Sequence, residues 1–177
     1  MNSKRLFIIA LIAVLTINQA YSQINYSMKA ETGFLKYQIN TIQVDPGPNW
    51  KGYYLDEENG IDIYMVNGID FKNKIFAGIG IGYLNFEGTN GLSIFTDFEY
   101  LPFHARLTPL INLKFGYSHV ENQYENGTGT GLGEVCLGLN YSLTEKMGVF
   151  VKSGITLTQQ SLFIPIRLGI RFNDKKD

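Results

Sequence analysis

Ser118, His119 and Glu121 form the arrangement in this sequence that comes nearest to nucleophilic chemistry, with a hydroxyl, an imidazole base and an acid in one short stretch. Adjacent side chains of an extended strand point to opposite faces, so Ser118 turns away from His119. The set is incomplete as a catalytic site and reads as polar residues at a membrane interface. The second histidine, His104, falls in a turn between Pro102 and Arg106. No His or Cys cluster has the spacing of metal ligands. Asp56-Glu57-Glu58 has the charge to hold Ca²⁺ or bridge divalent ions, but such a run reads first as a solvated loop. Gly127-Thr128-Gly129-Thr130-Gly131 is followed by neither Lys-Ser/Thr nor a helix, so it is no phosphate loop and is expected as a flexible external loop. Cys136 is the sole cysteine and cannot form an internal disulfide; it is expected as a small packing residue. No catalytic residue, cofactor or metal is expected.

The larger pattern is electrostatic. Lys29, Lys114, Lys152, Arg167 and Arg171 share one parity of an alternating pattern with Glu31, Asp62, Asp97, Glu99 and Glu134. Five charges of each sign suit a buried ion-pair network, because an unpaired buried charge costs several kcal/mol or more. The elements that would position them are strands. After the N-terminal stretch no long apolar run and no helical period occurs; period two repeats to the C-terminus, broken by short polar turns. Eight strands are expected near residues 25–38, 61–71, 75–86, 92–101, 107–120, 132–143, 147–158 and 162–172. Pro109 and Pro165 fall inside strands, and Pro165 requires a bulge or a locally open pairing. Asn67 falls on the apolar face and needs a partner there.

Composition bounds the class. The chain has 177 residues, a net charge of -1, 45% hydrophobic and 14% aromatic residues and 19 glycines. This is not the composition of a disordered chain. A pI near 6.1 argues against a nucleic-acid surface. The start, MNSKRLFIIALIAVLTINQAYSQ, has basic Lys4 and Arg5, an apolar run from Leu6 to Ile17, and small residues at Ala20 and Ser22. It is expected to be a signal peptide, residues 1–22, cleaved after Ser22. Losing Lys4 and Arg5 leaves 13 basic against 16 acidic residues, a mature charge of -3.

Which face points inward decides the class. A soluble barrel buries its apolar face, whereas a membrane barrel turns that face to lipid. Three features favour lipid. Gly33, Gly78, Gly80, Gly82, Gly116, Gly138, Gly154 and Gly169 lie on the polar face, where a narrow interior needs room for long charged side chains. The charges on that face balance. Aromatics on the apolar face gather near strand ends: Tyr26, Phe71, Tyr100, Tyr141 and Phe172 at one rim, Phe34, Tyr83 and Tyr117 nearer the other. The expected fold is all-β, an eight-stranded antiparallel up-and-down transmembrane barrel over residues 23–172, with a short tail at 173–177.

The leader, the alternating strands, Gly116-Tyr117-Ser118 and the last strand Ile166-Arg167-Leu168-Gly169-Ile170-Arg171-Phe172 resemble the small Gram-negative outer-membrane β-barrel proteins of the OmpA-transmembrane-domain, OmpX and OmpW type. The resemblance spans the mature chain. It implies an outer-membrane location, contact with lipid and lipopolysaccharide, and assembly by the barrel assembly machinery. It implies that this machinery reads the last strand, here Leu168, Ile170 and Phe172; the family's aromatic is often terminal, and the tail here departs from that. The residues leave four functions open. The first is a structural or interaction protein without a large pore, with Trp50, Tyr53 and Tyr54 of TIQVDPGPNWKGYYLDEENG as contacts for an unknown surface ligand. The others are a narrow channel or conduit for small hydrophobic molecules, a lipid A-modifying barrel, and a secreted soluble barrel that binds a lipophile.

Overall fold

Eight strands carry the period-two pattern in the computed structural model, which describes residues 24–41, 58–121 and 127–174. They are β1 (Ile24–Asn40), β2 (Gly60–Phe71), β3 (Ile75–Phe86), β4 (Thr89–Tyr100), β5 (Leu107–Val120), β6 (Thr128–Ser142), β7 (Met147–Thr158) and β8 (Ser161–Asp174). Each pairs antiparallel with the next, and β8 returns to β1, closing the barrel. Closure leaves no unpaired sheet edge, which a barrel in lipid requires. Strands of 12 to 17 residues suit a tilted crossing. The short β2–β3, β4–β5 and β6–β7 turns lie at the end that carries the described chain ends, Ile24 and Asp174 (the terminal end); β1 and β5 end, and β2 and β6 begin, at the opposite, loop end.

The faces are sorted as a membrane barrel sorts them. Ile79, Leu137 and Leu168 are 64%, 65% and 60% exposed, whereas Lys152 and Arg167 are 1% and 0% exposed. A soluble β fold would reverse this order, because exposing that much aliphatic surface to water is unfavourable at about 25 cal/mol per Å². The aromatic sorting is incomplete. Tyr26, Tyr100, Phe172, Phe34, Tyr83 and Tyr117 face outward near the rims, but so do Phe98 and Phe115 in the band between them.

Three boundaries differ from those expected. β4 begins at Thr89, so Glu87-Gly88 makes a two-residue turn, with both residues at positive φ (45° and 109°). β6 begins at Thr128, so Thr128 to Gly131 are strand and not a flexible loop. The Tyr117 ring occupies the space a Cβ at Gly129 would need, and the Thr130 hydroxyl accepts the Gln159 backbone N–H at 2.8 Å. Glycine there lets an aromatic cover the neighbouring strand, so a loop-like composition extends the ladder. β8 runs on to Asp174, where the Asn173 backbone N–H donates to Lys146 O at 2.8 Å.

The misfit residues are accommodated. Pro165 lies opposite Gly154, and the β7–β8 ladder passes from Ser153↔Ile166 to Thr156↔Phe163 with a local opening. Ser153 Oγ donates to the Pro165 carbonyl at 2.7 Å across it. Asn67 does face outward, and Tyr26 donates its hydroxyl to Asn67 Oδ1 at 2.6 Å. The β7–β8 turn puts Gln159 and Gln160 at φ of 49° and 57°. That conformation costs a non-glycine residue about 1 kcal/mol or more. Gln160→Gly is therefore expected to raise stability by about 0.5–1 kcal/mol, read as a higher urea midpoint in detergent micelles. The leader and Trp50, Tyr53, Tyr54, Asp56 and Glu57 lie outside the described residues.

Candidate functional site

The barrel interior is where the charged residues meet. Parity carries the ten side chains inward from seven strands, β1, β2, β4, β5, β6, β7 and β8. They join into one connected chain. Arg171 pairs with Glu99, which also takes Lys29 Nζ at 3.1 Å. Lys29 reaches Asp97 at 2.9 Å. Asn112 then bridges: its Nδ2 donates to Asp97 Oδ1 at 2.6 Å and its Oδ1 accepts Lys152 Nζ at 2.8 Å. Lys152 pairs with Glu31 at 2.6 Å, Glu31 with Lys114, and Lys114 with Glu134 at 3.1 Å. Glu134 holds Arg167 Nη2 at 2.6 Å and accepts the Thr156 hydroxyl at 2.8 Å, and Arg167 closes the chain on Asp62. Each charge has an opposite partner, which offsets a desolvation penalty of several kcal/mol per ion.

Aromatic rings fill the space between the charges, and the sequence reading had not placed them there. Lys29 lies 4.2 Å from the centre of the Phe76 ring, Arg167 4.5 Å from Tyr64, and Lys114 4.7 Å from Tyr64. Such cation–π contacts contribute about 2 kcal/mol when desolvated. The signal was available: Tyr64 has the parity of Asp62, Phe95 that of Asp97, and Phe150 that of Lys152. The glycines consequently serve a different neighbour from the one expected. Gly33 does make room for Arg167, but Gly80, Gly82 and Gly169 are covered by Phe95, Tyr64 and Phe150 from the paired strand.

Above the charges, at the loop end, the interior turns apolar. Leu35, Leu84, Phe86, Val120, Leu132 and Phe163 are buried there, and the Phe86 and Phe163 ring centres are 5.4 Å apart. Below them, at the terminal end, a cavity of about 310 Å³ opens, with Asp70 and Arg171 in its lining. Asp70 is 1% exposed and was missed by the sequence reading, although it shares the parity of Asp62. It makes the buried carboxylates six against five cations among the described residues.

The remaining candidates separate. Ser118 is buried inside, 2.6 Å from the Thr158 hydroxyl and 2.9 Å from Gln159 Nε2, while His119 lies on the outward parity of β5. The structure thus keeps hydroxyl and imidazole on opposite faces of one strand. His104 sits in the β4–β5 turn, its Nε2 2.8 Å from the Lys72 carbonyl. Cys136 is buried inside the barrel. Leu168, Ile170 and Phe172 face outward on β8.

No protein-family model matches the chain, and no curated protein matches it. Solved structures are similar. The crystal structure of Neisserial surface protein A matches with a TM-score of 0.56 at 11% identity, over 84% of this chain and 96% of that one. The N-terminal β-barrel domain of Pseudomonas aeruginosa OprF matches with a TM-score of 0.54 at 13% identity, over 84% and 97%. A barrel from the de novo design of transmembrane β-barrels matches with a TM-score of 0.50 at 13% identity, over 85% and 95%. With aliphatic side chains outside, paired charges inside and eight strands closed on themselves, this chain has the fold of a small outer-membrane β-barrel of the Gram-negative type.

Proposed function

We propose that this protein is a plugged outer-membrane barrel with a structural or interaction role, contributing to envelope integrity or binding a surface ligand through its external loops. The observation that carries this reading is the interior itself: among the described residues a continuous ion-pair chain fills the middle of the barrel, beneath a buried apolar cluster that includes Leu35, Leu84, Phe86 and Phe163 at the loop end. In that orientation the described chain ends and the short turns face the periplasm and the loop end faces outward, so we assign surface contact to Trp50, Tyr53 and Tyr54 of the segment between β1 and β2. Lipid and lipopolysaccharide surround the aliphatic band, and the barrel assembly machinery engages Leu168, Ile170 and Phe172 at the end of β8. The chain reaches this site after cleavage of residues 1–22, so the isolated protein is expected to begin at Gln23, as intact mass would show.

Planar-bilayer recording and liposome swelling test the reading. The purified barrel is expected to give no steady large conductance and no solute-dependent swelling. A steady conductance would overturn the plugged interior and favour the channel alternative. Location is tested by outer-membrane fractionation together with heat-modifiable migration on SDS gels. A mature chain that stays monomeric in buffer without detergent would overturn it. The separation of Ser118 from His119 weighs against lipid A modification, since a base must reach its nucleophile.

A further inference from the structure

The cavity at the terminal end holds buried polar atoms that the protein leaves unsatisfied. The Asp70 carboxylate accepts the Asn73 backbone N–H, yet its Oδ1 has no partner. Asn140, 4% exposed, has an unpartnered Oδ1. Arg171, 3% exposed, has an unpartnered Nε, its Nη2 being engaged by Glu99. All three residues line the same cavity of about 310 Å³. Arg106 and Glu145 line it too, the Arg106 guanidinium stacked 5.1 Å above the Tyr141 ring. Buried polar groups are nearly always satisfied, so orphans gathered around one cavity call for an occupant.

Charge narrows what that occupant is. Ten interior charges pair off, Asp70 is a sixth buried carboxylate against five buried cations, and the cation facing it, Arg171, is already held on Glu99. Water would satisfy its lone pairs without cancelling its charge. A bare metal cation fits poorly, because Arg106 and Arg171 line the same space. A primary ammonium supplies three donors for the acceptors of Asp70 and Asn140 and cancels the surplus charge. The Arg106 guanidinium and Arg171 Nε then suit an adjoining carboxylate, which guanidinium binds through paired hydrogen bonds. We propose that this cavity binds a small zwitterion of the amino-acid class, its ammonium on Asp70 and Asn140 and its carboxylate on Arg106.

Calorimetric or NMR titration of the full mature chain, folded in detergent micelles, tests this with three probes: L-alanine, N-acetyl-L-alanine and L-alaninamide. Saturable binding of alanine at millimolar concentration is expected, weakened about tenfold or more by N-acetylation. Asp70→Asn is expected to weaken alanine about tenfold or more. Arg106→Gln is expected to weaken alanine while leaving alaninamide unchanged. Heat-modifiable migration establishes that each variant is folded, and Asp70→Asn removes the surplus charge and so leaves the pairs intact. Absence of saturation by alanine, equal binding of its N-acetyl form, or unchanged binding by folded Asp70→Asn would each overturn the proposal.

Discussion

Glu134→Ala is expected to lower the unfolding free energy by about 3–5 kcal/mol, measured by urea unfolding of the barrel in micelles. Glu134 is the most heavily used carboxylate inside. It accepts Arg167 through Nε (3.1 and 3.0 Å) and Nη2 (2.6 Å), Lys114 at 3.1 Å and Thr156 at 2.8 Å. Removing it leaves Arg167 with Asp62 alone and Lys114 with Glu31 alone, both cations being fully buried. The cost comes from the cations left under-paired, which a double change can separate from lost packing. Glu134→Gln with Lys114→Met removes one charge of each sign and keeps Arg167 on Asp62 and Lys152 on Glu31. The double variant is expected to be more stable than the sum of the two single effects by about 1–3 kcal/mol. Strict additivity would show that the two residues do not act as a pair.

Ile79→Arg and Leu139→Arg are expected to reduce assembly into the outer membrane sharply, each by a transfer cost of about 2–4 kcal/mol at the bilayer midplane. Ile79 sits between Asn67 and Thr96 on the neighbouring strands, and Leu139 between Pro109 and Val151; both point outward. In water an arginine at either place would be benign, since both side chains are already 64% and 47% exposed. The experiment therefore distinguishes lipid from water as the surrounding medium. Loss of the heat-modifiable species from the membrane fraction is the expected readout. Normal assembly of both variants would mean that these side chains do not meet lipid.

Much of the architecture was legible because period two is a local property. Alternation along β3, β6 and β8 separates Ile79, Leu137 and Leu168 from Gly80, Glu134 and Arg167 with no knowledge of partners. Charge then favoured the medium: many charges of both signs on one parity suit a parity that is enclosed, although the structure adds Asp70 and so makes six acids against five cations among the described residues. The same local logic failed at Gly127 to Gly131, where glycine and threonine resemble a loop. What extends β6 there is the Tyr117 ring from β5, a contact that exists only once the two strands are in register.

By itself the sequence determined the eight-stranded alternation, the inward parity of ten charged side chains and the turns at 72–74 and 144–146, because each depends on residues near one another in the chain. Only the tertiary structure decided who pairs with whom. The Lys152–Glu31 bridge joins residues far apart in sequence, Asn112 links two groups of ion pairs, and Asp70 is a sixth buried carboxylate against five buried cations among the described residues. The physical reason is that closing the barrel sets the stagger between strands, and stagger places side chains at one height in the interior. Parity says that a residue faces inward; only the stagger says what it meets there.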